Sequence, residues 1–171
     1  MRRFAWMLFA CAAIAQAPNL SVTSGVAATS RAAWTRISVR GEPEDAWLTL
    51  QCIKTVEGVK QADIFFEIGQ TSAFWMPHEQ QATEQPLPLT KLTFTFDAYK
   101  PMRREWVEVR NNQFLYNRPG THSGNMEPVD FYLKFMGSTT TMTVFKDRDT
   151  SWSFPTRPLL KAMTEQELCK P

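Results

Sequence analysis

The stretch Leu92-Thr93-Phe94-Thr95-Phe96-Asp97 (LTFTFD) decides the fold class. Three large apolar side chains alternate with three polar ones, and a two-residue period puts alternate side chains on opposite faces of a pleated strand. The same period recurs on both sides of it. Toward the N-terminus, Ile64, Phe66 and Ile68 share a face against Asp63 and Glu67, and Leu48, Leu50 and Cys52 share one against Thr49 and Gln51. Toward the C-terminus, strands over 106–110 and 113–116 flank Asn111-Asn112, a pair that tolerates positive φ and marks a tight hairpin. Residues 139–145, rich in β-branched side chains, and residues 151–154 flank the polar turn Lys146-Asp147-Arg148-Asp149 as a second hairpin.

Two stretches carry helix signals. In RPLLKAMTEQELC (157–169), Pro158 stands early, and Leu159, Leu160, Met163 and Leu168 form an i, i+3, i+4 stripe that would lie on the sheet. In EPVDFYLKFMG (127–137), Pro128 and Gly137 punctuate a helix, while Phe131, Leu133 and Phe135 also alternate, so 128–136 is open between helix and strand. Residues 76–88, with Pro and three glutamines, read as a long surface loop. The expected fold class is α+β: a mainly antiparallel β-sheet or sandwich with a C-terminal helix.

With 43% hydrophobic and 21% charged residues in 171, the chain has the balance of one folded domain. Nineteen Lys and Arg stand against seventeen Asp and Glu. That near-neutrality supplies no clustered charge for displacing counterions from nucleic acid.

Arg2 and Arg3 precede an uncharged apolar stretch of fourteen residues, 4–17, and small and polar residues follow as far as Ser30. This is the layout of a secretory signal, and the run is shorter than the roughly 18 residues of a bilayer-spanning helix. Small-residue cleavage boxes end at Ala17 and at Ala28; the cut after Ala28 is preferred, because Pro18 would follow the other. The expected organisation is a signal peptide at 1–28, a solvated leader at 29–33 and a single β-rich domain at 34–171. The mature chain would have no membrane span and would be periplasmic or secreted.

Removing the signal takes Cys11 and leaves Cys52 and Cys169. An even count in an exported chain points to a disulfide. The competing uses are weaker: two isolated cysteines without CxxC spacing make a poor zinc site, and a catalytic thiol would need His78 or His122 as its base.

Signatures of other chemistry are missing. No GxGxxG, GxxxxGK[ST] or GxSxG motif occurs, and the HExxH-like run from His78 has Ala82 in place of its second histidine. No cofactor and no metal site is expected, and no catalytic residues are assigned. Asp97 with Glu105 or Glu108 could serve as the carboxylate pair of a glycan hydrolase only at roughly 5–10 Å separation. For recognition, Arg and Trp are the favoured side chains. They occur together in Tyr99-Lys100-Pro101-Met102-Arg103-Arg104-Glu105-Trp106, and Arg118 follows in the loop after Asn117. Arg103, Arg104, Trp106 and Arg118 are the candidate binding residues; the competing reading buries Trp106 in the core.

Across roughly residues 47–171, the order of features resembles the VasI/TagO-type exported accessory proteins associated with bacterial type VI secretion. The features are a strand ending in cysteine (LTLQC, to Cys52), a strand ending in aspartate before a basic linker (LTFTFDAYKP, with Asp97), a tryptophan strand (Trp106), a late helix-strand-strand series, and a terminal helix closing on Cys169. Thr95 stands where those proteins commonly carry arginine, and the stretch ahead of Cys52 is shorter. The resemblance implies an accessory role and brings no catalytic residues. The expectation is a monomeric, non-enzymatic binding or accessory protein of the bacterial envelope with a protein partner there. A cell-wall or glycan hydrolase, and a periplasmic inhibitor of such hydrolases, are the alternatives.

Overall fold

In the computed structural model, residues 19–28, 30–69, 88–97, 99–110, 112–116 and 140–170 are described. They form nine strands: β1 (Leu20–Val26), β2 (Ala33–Arg40), β3 (Ala46–Lys54), β4 (Lys60–Ile68), β5 (Leu89–Phe96), β6 (Met102–Arg110), β7 (Gln113–Tyr116), β8 (Thr141–Phe145) and β9 (Ser151–Pro155). One helix, α1 (Thr156–Glu165), and a 3-10 turn (Glu167–Cys169) follow. The strands make one antiparallel sheet in the order β1-β2-β3-β4-β7-β6-β5-β8-β9. The α+β class, mainly antiparallel sheet with a C-terminal helix, is the one the periodicity predicts. The long loop expected at 76–88 and the open stretch 128–136 lie outside the described residues, apart from Pro88.

The sheet rolls over on itself. Glu42, just past β2, exchanges two backbone hydrogen bonds of 2.8 and 2.9 Å with Ser153 of β9, which brings the far end of the strand order back to the near one. The aromatic contacts agree: Phe66 of β4 lies 5.2 Å from Trp152 and 5.9 Å from Phe154 between ring centroids, although four strands separate β4 from β9 in the sheet. Gly41 marks the tightest approach, since a Cβ there would stand 2.6 Å from the Phe154 ring.

The interior is lined by the apolar half of each alternating strand. Leu48, Leu50, Cys52, Ile64, Phe66, Leu92, Phe94, Phe96, Met142 and Val144 are all buried in one cluster. Leu159, Ala162 and Met163 of α1 close it against β1, β2 and β8. Pro158 sits in the first turn of α1, where its missing N–H needs no partner. The helix stops at Glu165, earlier than the stripe to Leu168 suggests, and the 3-10 turn carries Cys169 to Cys52. The S–S distance is 2.07 Å across a sequence separation of 117 residues. Asn112 has φ 61° in the β6–β7 connection, the left-handed conformation that the Asn-Asn pair anticipates.

Two features depart from the sequence reading. The sheet begins ahead of residue 34: Leu20–Val26, placed within the signal by the preferred cut, forms β1 in unbroken register with β2. Where a solvated leader is expected, Ala32 is buried and Ala33 already belongs to β2. The polar faces of β2, β3 and β4 also differ from expectation. Alternation assigns Thr49, Gln51, Asp63 and Glu67 to the side away from the core, and there they are as buried as the core itself.

Candidate functional site

The β5–β6 hairpin carries the predicted recognition stretch. Its geometry starts at Asp97, where β5 ends with a backbone φ of 28°. The Asp97 carboxylate accepts hydrogen bonds from the Thr140 amide at 3.1 Å, the Thr141 amide at 2.8 Å and the Thr140 hydroxyl, which fixes the turn to the start of β8. Within the turn, the Tyr99 amide donates to the Phe96 carbonyl at 2.7 Å and the Thr95 hydroxyl donates to the Tyr99 carbonyl at 2.8 Å. A tip whose backbone is tied at these points needs less ordering of the loop at binding.

What the tip presents is basic and aromatic. Tyr99 is half exposed, and Lys100, Pro101, Arg103 and Arg104 are exposed. Successive positions on a strand face opposite ways, so Arg103 and Arg104 point to the two sides of β6. Glu105, the nearest acid in sequence, lies 3.9 Å from Lys91 across the β5–β6 pair. Among the described residues, the two carboxylates nearest in sequence to Lys100, Arg103 and Arg104 are both engaged, Asp97 by Thr140 and Thr141 and Glu105 by Lys91, and the hairpin presents these three cations.

Trp106 is not part of this surface. It is fully buried, edge-on to Tyr116 at 5.4 Å and to Phe94 at 6.2 Å. The alternation of β6 explains it: from Arg104 to Trp106 the same face passes from the exposed end of the strand into the core. Arg118 lies outside the described residues, as do His78 and His122.

The carboxylate-pair geometry is not met. Glu105 is opposite Lys91 in the register, and Asp97 stands six residues further along β5, roughly 20 Å at ~3.3 Å per residue. Glu108 is further still. Asp97 is also occupied by the three donors named above. Among the described residues, no group of three or more His, Cys, Asp or Glu is placed to hold a metal ion, and no helix is long and apolar enough to cross a membrane.

A second polar assembly went unread in the sequence. On the outer face of β2, β3, β4 and β7, the Arg36 guanidinium donates to Glu67 Oε1 at 3.1 Å, Gln113 Nε2 donates to the same oxygen at 2.8 Å, and the Thr49 hydroxyl donates to Oε2 at 2.8 Å. The Ser38 and Thr49 hydroxyls are 2.8 Å apart. Arg36 also stacks over Phe65 at 5.2 Å. Burial pulls the Arg36 guanidinium below its ordinary pKa, and the Glu67 charge and hydrogen bond work against that. Side chains from three strands thus meet on the carboxylate of a fourth. The assembly locks their register, because a one-residue slip would turn each of these groups to the other face. The signal available was two ionisable residues, Arg36 and Glu67, each one position away from core residues in its strand.

No family model, curated protein or solved structure matches this chain.

Proposed function

We propose that the protein is an exported, non-enzymatic binding protein of the bacterial envelope, and that its β5–β6 hairpin docks an acidic surface of a protein partner. The observation that carries this is the pre-set tip: Tyr99, Lys100, Arg103 and Arg104 are exposed on a turn held at Asp97 by three donors. Arg and Tyr are the side chains that most often dominate interface energetics, and complementary charge speeds and orients docking. Export is supported by the N-terminal signal pattern and by the bond between Cys52 and Cys169, a linkage that persists in oxidising compartments. An accessory place beside a type VI secretion system is the setting that the resemblance implies.

The test compares capture from an envelope fraction by the wild-type protein and by Arg103→Ala/Arg104→Ala, at low and high salt. The reading expects the same partner to be lost in the variant and weakened by salt, since the reach of exposed charges shrinks from about 10 Å at 0.1 M to about 3 Å at 1 M. Capture unchanged in both would remove the hairpin as the docking surface.

A second reading keeps the hairpin and changes the partner. Glycan hydrolases hold paired carboxylates in their clefts, and a cationic tip matches such a cleft. Inhibition of a lysozyme by the wild type and not by the double variant would favour it.

A further inference from the structure

We infer that the signal is cut ahead of β1, at the Ala15–Gln16 bond, and that β1 stays with the mature protein. The inference rests on the export reading above and concerns where processing stops.

The argument begins with how firmly β1 is built in. Each of its seven residues has a register partner in β2, from Leu20↔Val39 to Val26↔Ala33, and the Arg40 amide extends the ladder to the Asn19 carbonyl at 2.9 Å. Leu20 and Val22 pack on the main core, and α1 rests on both strands. The Ser24 and Thr35 hydroxyls meet at 2.9 Å. Gly25 lies under the Trp34 indole, where a Cβ would stand 2.8 Å from a ring carbon. The turn behind them is closed as well, by the Ala27 amide on the Ala32 carbonyl at 2.9 Å and by the Arg31 amide on the Ala27 carbonyl at 3.0 Å.

A cut after Ala28 would sever that turn and remove the strand. Ile37 and Val39, now fully buried, would lose Val22 and Leu20 beside them, and β2 would become an open edge. A processing site that leaves the fold intact must therefore lie before Asn19. Three Ala-x-Ala boxes do so; Ala10-Cys11-Ala12 would leave a core of only six apolar residues, 4–9, short of the 7–15 that such cores span, which leaves Ala15-Gln16-Ala17 and Ala13-Ile14-Ala15. The first puts Pro18 directly after the cut, a tertiary amide nitrogen that suits processing poorly. The second has alanine at both recognition positions and gives a secondary amide. It leaves residues 4–12, nine apolar residues, as the core of the signal, within the 7–15 that such cores span. Hydrolysis of that bond adds one water, leaving a carboxylate on Ala15 and an amine on Gln16. Gln16 to Asn19 then lead directly into β1.

The experiment expresses the full chain with a C-terminal tag in a bacterial host, separates envelope from cytoplasm and takes the intact mass of each form. A form beginning at Gln16 in the envelope is expected, whether its terminal glutamine is open or cyclised. A form beginning at Thr29 or at Pro18 overturns the inference and leaves export standing; an intact chain held in the cytoplasm overturns the export reading itself. Ala15→Gln is expected to abolish the processed form. Ala28→Gln, at an exposed turn position, is expected to leave it unchanged, and the reverse pattern would place the cut after Ala28.

Discussion

Neutralising Glu67 should be among the most damaging single changes in the sheet, and removing Arg36 along with it should repair most of the damage. The pair is 3.1 Å apart, with the side chains 4% and 1% exposed. Water therefore cannot take up a charge left behind. Breaking a buried pair from one side costs about 3–5 kcal/mol, whereas replacing both partners by neutral groups of similar volume is often close to neutral. Glu67→Gln keeps the shape but removes the charge that faces the Arg36 guanidinium, and one of the donors from Arg36, Gln113 and Thr49 loses its Glu67 acceptor, roughly a further 1 kcal/mol. Arg36→Met leaves a buried carboxylate with two neutral donors. Each single variant should thus lose about 3–5 kcal/mol, a large share of the ~5–15 kcal/mol that holds a domain together. The double variant Arg36→Met/Glu67→Gln should lose about 2 kcal/mol or less. Equilibrium urea unfolding followed by tryptophan fluorescence reads all four proteins. A coupling of at least about 2 kcal/mol is expected, where independent sites would add within about 0.5 kcal/mol. If the losses simply add, Arg36 and Glu67 do not share a dry site and the register-lock argument fails. A double variant that folds when a single one does not would establish the same coupling.

Replacing Cys52 and Cys169 together by Ala should lower stability by about 5 kcal/mol, since the unfolded chain regains the entropy of a loop spanning 117 residues; urea unfolding that matches the oxidised wild type would refute the closure. Asp147 accepts the Asp149 amide at 3.0 Å and the Thr150 amide at 2.8 Å in the β8–β9 turn. The Thr150 side chain first, then the Asp149 amide, hold its carboxyl below the usual aspartate range. A depressed folded-state pKa stabilises above the unfolded value, about 3.9, and that contribution disappears as pH falls through the folded value. Asp147→Ala should therefore be less stable than wild type at neutral pH, with the gap closing as pH falls through the depressed folded-state value; urea midpoints whose difference ignores pH would contradict the assignment.

The strands legible in the sequence were those with one apolar face. Leu92, Phe94 and Phe96 alternate and are all buried, and Asn112 takes the positive φ that its hairpin requires. β1 and β2 were harder to read for different reasons. LSVTSGV carries only three large apolar side chains and follows a stretch that reads as an export signal, so its strand character is masked by position. In AWTRISVR, the alternation of Thr35, Ile37 and Val39 is clear once sought, but Arg36 and Arg40 on the other face suggest a solvated segment. Periodicity tells which side chains share a face. It does not tell whether the second face meets water, and the Arg36–Glu67 assembly is the consequence. At the recognition stretch the two arginines lie on the surface, while Trp106 takes the competing reading and lies in the core, because adjacency in sequence is not adjacency in space. Only strand parity and the length of β6 separate Arg104 from Trp106.

On the proposed export, with the N-terminus crossing the membrane first, the position of the two sulfurs has a consequence. In that setting Cys52 would emerge 117 residues ahead of Cys169, and its thiol would wait that long, able to couple with the wrong chain. The shelter available in that interval is local: β3 can pair with β2 and β4 before any later strand exists, and this meander folds Cys52 inward. On that reading, correct oxidation would depend on how fast these three consecutive strands assemble, long before the rolled sheet can close.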